Sequence, residues 1–169
     1  MVPVKLANGF FSHANDFDLD VEVLPKKSLK LNEDVIFRIT SQKDGKLILF
    51  DQSPDGSLTR IFPNRFAKAR SKDGVVLSKS PLSIPGPFYG FAFKATEKGK
   101  SKLIALVVEP DTDLDFLLNQ TEEFETIEDA KSILEEIAKS LLKPIVTSDE
   151  YKPNRRRQWA FEVRDYDVR

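Results

Sequence analysis

The chain has 169 residues, of which 40% are hydrophobic and 31% charged, and its 26 basic and 27 acidic residues leave a formal net charge of −1. This balance argues against a general electrostatic attraction to nucleic acid or to an anionic membrane surface. The absence of cysteine excludes disulfides, thiol catalysis and cysteine-ligated zinc. The length predicts one domain, residues 1–169, and no apolar run approaches the roughly 20 residues of a membrane span.

The first predicted elements are two half-buried strands. Residues 17–23 alternate apolar and acidic side chains, and residues 35–40 repeat this period of two, with Arg38 outward. Such alternation is typical of antiparallel strands that bury one face. Pro25 should end the first strand. The predicted inward residues are Phe17, Leu19, Val21, Val23, Val35, Phe37 and Ile39.

A β-hairpin is predicted next, between the apolar runs Leu47–Phe50 and Leu58–Phe62. The connection Ser53-Pro54-Asp55-Gly56 has the residues of a type I turn, with glycine at the left-handed position that follows it. Pro63 has no N–H group, so the strand pairing should stop there.

The later β-strands are marked by further turn signals. Val75–Leu77 should be a short strand, and Pro81, Pro85 and Pro87 should form an extended connection. Phe88–Ala95 and Leu103–Val108 are predicted to pair as a hairpin, with the second of them central in a sheet because it is apolar throughout.

The C-terminal third predicts one helix and a last strand. Thr126 is the expected N-cap, Glu135 and Lys139 should pair on the exposed face, and Pro144 should mark the end. The predicted buried face comprises Ile127, Ala130, Leu134, Ile137, Ala138 and Leu141. Residues 159–163, followed by Tyr166 and Val168, should add a strand to a sheet edge.

Together these elements predict a mainly β fold. We expect an antiparallel β-sandwich, Ig-like or related, of about seven to eight strands with one C-terminal amphipathic helix packed on it. Residues 17–110 would form the sandwich core, and residues 111–169 the helix and final-strand extension.

The hairpin also carries a family resemblance. The Pro54-Asp55-Gly56 turn and the strand end Phe62-Pro63-Asn64 are similar to those of the bacterial domain-of-unknown-function family DUF4384. The order of the surrounding motifs also resembles this family over residues 17–110, although Asn32-Glu33 stands where glycine is expected. These motifs are Leu31 to Val35, Lys43-Asp44-Gly45, Ile84-Pro85, the aromatic strand 88–93, Gly99 and the strand 103–108. The resemblance implies a β-sandwich-like accessory module, often appended to caspase-like peptidases, protein kinases or envelope proteins, without catalytic residues.

Two groups of residues are candidates for binding a ligand or partner. Tyr89, Phe91 and Phe93 share one strand face, where they could line an aromatic groove, although core packing is the simpler explanation. Arg155, Arg156 and Arg157 beside Trp159 could contact phosphates and stack on a base, although such a run is more often solvated.

Metal and catalytic sites have weaker support. Asp111, Asp113, Asp115 and Glu122 have calcium-loop spacing, but Phe116 occupies the position that requires glycine, and a short helix with an acidic first turn explains them as well. His13 is the single histidine and no known catalytic motif surrounds it. We therefore predict no metal, no cofactor and no catalytic residue.

The functional prediction is a non-catalytic binding or accessory module that contacts another protein or a domain of its own parent chain. The alternatives are a hydrolase that uses acidic residues and a phosphate- or nucleic-acid-binding module that uses Arg155–Arg157. The family resemblance favours an extracytoplasmic location, in the periplasm or at the cell surface.

Overall fold

The computed structural model describes residues 14–63, 75–85, 93–112, 126–127, 130–143 and 156–169. These residues form eleven strands and one helix. The elements are β1 (Leu19–Leu24), β2 (Ser28–Leu29), β3 (Asp34–Ser41), β4 (Gly45–Gln52), β5 (Leu58–Phe62), β6 (Val75–Val76), β7 (Leu82–Ile84), β8 (Phe93–Lys94), β9 (Gly99–Val108), β10 (Thr126–Ile127), α1 (Ala130–Leu142) and β11 (Trp159–Val168).

The strands form two sheets. The smaller has the order β1-β3-β7, with β8 also paired to β3, and the larger has the order β10-β5-β4-β9-β11-β2, with β6 also paired to β4. The short β11–β2 pairing is parallel, and the main ladders are antiparallel. These sheets and α1 confirm the predicted mainly β fold with a helix near the C-terminus, in a sandwich-like arrangement.

The larger sheet is buried on both faces. One face packs against the smaller sheet, and the other packs against α1. Residues 103–108 of β9 are all fully buried and alternate between the two cores, which confirms that this strand is central. The core shared with α1 contains Ile48, Phe50, Leu58, Ile104, Leu106, Val108, Leu134, Ile137, Ala138, Leu141 and Trp159.

The first two predicted strands are confirmed as β1 and β3. Every predicted inward residue of 17–23 and 35–40 is buried in the core between the sheets, whereas Asp18, Asp20 and Glu22 are exposed. Strand β1 ends at Leu24, directly before Pro25. The period of two therefore identified both the strands and the faces that they bury.

The predicted hairpin is formed by β4 and β5. The Gly56 N–H donates to the Ser53 carbonyl at 2.9 Å, and the Ser53 N–H donates to the Ser57 carbonyl at 2.9 Å. Gly56 has φ of 90°, the left-handed conformation for which glycine was expected. Strand β5 ends at Phe62, before Pro63, as predicted.

The predicted hairpin between residues 88–95 and β9 is wrong. Phe93 and Lys94 pair with Val35 and Asp34 of β3 in the smaller sheet, whereas β9 pairs with β4 and β11. A strand has only two hydrogen-bonding edges, and those of β9 are occupied by strands from distant parts of the chain. The proline-rich connection also contains β7, which pairs with β3 at the sheet edge.

The start of the helix also differs from the prediction. Thr126 and Ile127 pair with Thr59 and Leu58 of β5, so Thr126 is not the N-cap and α1 begins at Ala130. Both residues are β-branched, which favours the extended strand over the first helical turn. Lys139 lies 3.6 Å from Glu136 and not beside Glu135. The predicted burial of Leu134, Ile137, Ala138 and Leu141 is confirmed.

The last strand is longer than predicted and adds to a sheet edge, as expected. Strand β11 pairs with β9 along all of its ten residues, and on its other side only its final two positions pair, with β2. Ala160, Tyr166 and Val168 belong to the core between the sheets. The added strand is therefore also part of the sandwich core.

Candidate functional site

The aromatic candidates are only partly described. Tyr89 and Phe91 lie outside the described residues, as do Arg155 and Asn64. Phe93 is half-buried and its ring centroid lies 5.3 Å from that of Phe37, a residue of the intersheet core. Phe93 therefore packs against the core, which was the simpler of the two explanations for the aromatic residues of this strand.

Trp159 is fully buried, with 0% of its surface exposed. It belongs to the core between the larger sheet and α1. A nucleic-acid base stacks on an aromatic ring only where the face of that ring is accessible. In this fold the indole of Trp159 packs inside the protein.

Arg156 is held by an acidic partner from the other end of the chain. Its guanidinium nitrogens donate to both carboxylate oxygens of Asp16, at 2.5 and 3.2 Å. The backbone N–H of Trp159 donates to the same carboxylate at 3.0 Å. The hydrogen bond to Asp16 raises the pKa of Arg156. Arg157 is half-buried. The Asp16 carboxylate thus fastens the segment before β1 to the start of β11.

Replacing Asp16 by alanine should lower the free energy of unfolding by about 1–3 kcal/mol, because the buried Trp159 N–H loses its acceptor. Arg156→Ala should cost less, since 60% of the Arg156 side chain is exposed and the Trp159 N–H keeps its bond. Urea denaturation of both variants provides the measurement. Equal losses would contradict this ranking.

The turn that carries the family resemblance is fixed by its own side chains. Asp55 Oδ1 accepts hydrogen bonds from the Ser57 N–H at 2.9 Å and the Ser57 hydroxyl at 2.6 Å, and these bonds lower the pKa of Asp55. Gln52 Nε2 donates to the Gly56 carbonyl at 3.2 Å. These hydrogen bonds fix the conformation of the turn, and with it the position of the residues that border the adjacent surface.

A polar groove of about 370 Å³ opens beside this turn. Its lining is Gln52, Ser53, Pro54, Gly56, Lys100, Lys102 and Asp165, and we call it the turn groove. Strand register places Gln52, Lys102 and Asp165 side by side on β4, β9 and β11. By alternation with the buried residues of these strands, this row lies on the sheet face that also carries α1. Rigid strands and a fixed turn thus hold the polar groups in place.

The turn groove contains both donors and acceptors. Lys102 Nζ contacts Asp165 Oδ1 at 2.5 Å, whereas Lys100 is exposed and has no ion-pair partner among the described residues. Gln52 is 5% exposed, and its buried Oε1 has no hydrogen-bond partner. The groove therefore offers an available ammonium group and polar groups that are not fully used.

A second polar cluster lies on the opposite face of the sheet, inside the sandwich. The Tyr166 hydroxyl donates a short hydrogen bond to Asp51 Oδ1. Burial and the nearby charge of Glu97 raise the pKa of Asp51 to about 6, although the bond from Tyr166 opposes this shift. Burial, and the charge of Asp51, also raise the pKa of Tyr166.

The cavity beside the Asp51–Tyr166 pair has about 40 Å³, enough for one or two water molecules but not for a sugar or peptide. A general acid must lie within hydrogen-bonding distance of the group that it protonates. A sugar or peptide cannot enter this cavity, so Asp51 cannot act as a general acid on such a substrate here. Among the described residues, no group of three or more histidine, cysteine, aspartate or glutamate side chains lies close enough together to hold a metal ion. Four of the sequence candidates lie outside the described residues, namely His13 and the calcium-loop residues Asp113, Asp115 and Glu122.

The turn groove was not identified as a site from the sequence, although Pro54 and Gly56 of its lining were named there as residues of the family motif. Lys100 and Lys102 are two positions apart and share a face of β9, but the strand was predicted to begin only at Leu103, so this signal was missed. Their neighbours Gln52 and Asp165 had none, because strand order decides which distant residues join them.

The described part of the chain contains no helix with the length and hydropathy of a membrane span. No curated protein and no solved structure matches the chain. The model of one family, a domain of unknown function (DUF4384), matches residues 28–109, that is β2 through β9. The match confirms the resemblance found in the sequence, and residues 28–109 of this chain are similar to the DUF4384 family.

Proposed function

We propose that this chain is a non-catalytic binding or accessory module that contacts another protein, or another domain of its parent chain. The proposal includes a bacterial, extracytoplasmic setting, which the family resemblance favours. The turn groove is the observation that carries it, because this concavity of about 370 Å³ is lined by polar and charged side chains from three neighbouring strands and the turn between β4 and β5.

The construction of the turn groove supports binding in preference to chemistry. Its charged groups are two lysines and one aspartate, and the ammonium of Lys102 already contacts the carboxylate of Asp165. A hydrolase that uses acidic residues needs two carboxyl groups facing one substrate, whereas Asp165 is the one carboxylate among the described residues that line the groove. Paired charges held on strands are suited to orienting a partner.

Site-specific photocrosslinking tests the proposal. The full chain would carry a benzophenone amino acid at position 100, in the turn groove, or at Lys139, an exposed residue of α1, and would be expressed in a bacterial host and irradiated. We expect a discrete crosslinked protein from position 100 and none from position 139. Crosslinks from both positions, or from neither, would contradict a partner at the groove.

A further inference from the structure

We propose that the turn groove recognises a carboxylate side chain of an acidic polypeptide segment. This inference rests on the proposed binding function and adds the chemistry of the partner. Lys100 is the central residue, because it is exposed and has no ion-pair partner among the described residues. The neighbouring Lys102, by contrast, already forms an ion pair with Asp165.

The charges of the groove favour an anionic group at one position. Among its described lining residues, Lys100, Lys102 and Asp165 carry a net charge of +1 when ionised (two positive, one negative), and the neighbouring Asp167, which is outside the lining, offsets this charge. Asp167 lies opposite Lys100 in the strand register, but the two side chains form no ion pair. The Lys100 ammonium can therefore donate to an incoming carboxylate without breaking an existing contact.

The acceptors of the groove favour a peptide over a simple anion. Asp165 makes its one described ion pair at this site through Oδ1, so Oδ2 can accept a further bond. Ser53 and Gly56 line the same space, with their carbonyl oxygens already accepting one hydrogen bond each within the turn. An inorganic anion supplies mainly acceptors, whereas an extended peptide supplies backbone N–H donors beside its carboxylates. An acidic segment therefore matches both halves of the lining.

Buried Gln52 strengthens the assignment. The residue lines the groove, and its Oε1 is buried behind that lining without a partner while its Nε2 donates to the Gly56 carbonyl of the turn. Unsatisfied buried acceptors are uncommon in native proteins and call for an explanation. A donor delivered by a bound peptide, directly after a small side-chain movement or through one water, would satisfy it.

The test uses three probes on the full chain: acetylated and amidated Ala-Glu-Glu-Ala, its Gln-Gln counterpart, and inorganic phosphate. Amide chemical shifts of Gly56, Lys100 and Lys102 report binding. We expect the acidic peptide to shift these amides, with an affinity about fivefold lower in Lys100→Gln and lower at high salt. Lys98→Gln is the matched control, because Lys98 is exposed nearby but does not line the groove.

Each other outcome would overturn the inference. Shifts with phosphate but not with the acidic peptide would make the groove a small-anion site, and equal shifts with the Gln-Gln peptide would remove the role of the carboxylate. Equal losses in Lys98→Gln and Lys100→Gln would indicate general surface charge. If the peptide fails while crosslinking from position 100 persists, the binding function stands and only the acidic chemistry of the partner falls.

Discussion

Replacing Trp159 by alanine should lower the free energy of unfolding by about 3–5 kcal/mol, the range for deleting a fully buried aromatic side chain. The ring has 0% exposure and lies in the core between α1 and the larger sheet. Its loss would leave a cavity in contact with both layers. Urea denaturation, with an unchanged dependence of the free energy on urea concentration, provides the measurement.

Phe161→Ala is the matched control for Trp159. Phe161 lies two residues along the same strand, with its ring centroid 6.1 Å from that of Trp159, but it is only half-buried. Its replacement should cost distinctly less. Because Trp159 is the single tryptophan, native fluorescence should be blue-shifted and resistant to iodide quenching. Emission that iodide quenches, or a Trp159→Ala variant with nearly the unfolding free energy of the wild type, would place the indole at the surface. Trp159 would then again be a candidate for ligand binding.

The parts of the fold that follow from local chemistry could be predicted from the sequence. The β4–β5 hairpin depends on a four-residue turn whose conformation Pro54 and Gly56 determine. The alternation of β1 and the spacing of Leu134, Ile137 and Leu141 in α1 likewise identify the buried faces without knowledge of any partner.

The pairing of distant strands could not be predicted in the same way. Adjacency in the sequence favoured a hairpin between residues 88–95 and β9, but β9 is apolar on both faces and needs two well-covered neighbours. It finds them in β4, which precedes it by more than 40 residues, and in β11, which follows it by 50 residues. Similarly, Thr126 has good N-cap chemistry, yet the free edge of β5 recruits it into a strand.

The same limitation applies to the polar sites. Lys100 and Lys102 share a face because β9 begins at Gly99 and not at Leu103 as predicted, and their acidic neighbour Asp165 is 63 positions from Lys102. The pairing of Asp51 with Tyr166 spans 115 positions. Single-sequence patterns describe one strand at a time, so a site assembled from three strands emerges only with the strand order.

Asp51 should make the stability of the protein depend on pH in a direction unusual for a carboxylate. Its pKa is raised from 3.8 to about 6 in the fold, chiefly by burial, so the folded state binds this proton more tightly than the unfolded chain. The resulting stabilisation is fully present below about pH 4 and is lost as the pH rises through 6. A shift of about two pKa units corresponds to about 3 kcal/mol.

Asp51→Asn isolates this effect, since its amide oxygen can still accept the Tyr166 hydrogen bond but no longer titrates. The unfolding free energy of Asp51→Asn minus that of the wild type should increase by about 2.5 kcal/mol between pH 4 and pH 7, measured by urea denaturation at each pH. Asp55→Asn is the control of opposite sign, because the bonds from Ser57 lower the pKa of Asp55. The wild type should therefore gain stability relative to Asp55→Asn as the pH rises. A pH-independent difference for Asp51→Asn would mean that Asp51 ionises in the fold as it does in water, and would contradict the dominance of burial over the hydrogen bond from Tyr166.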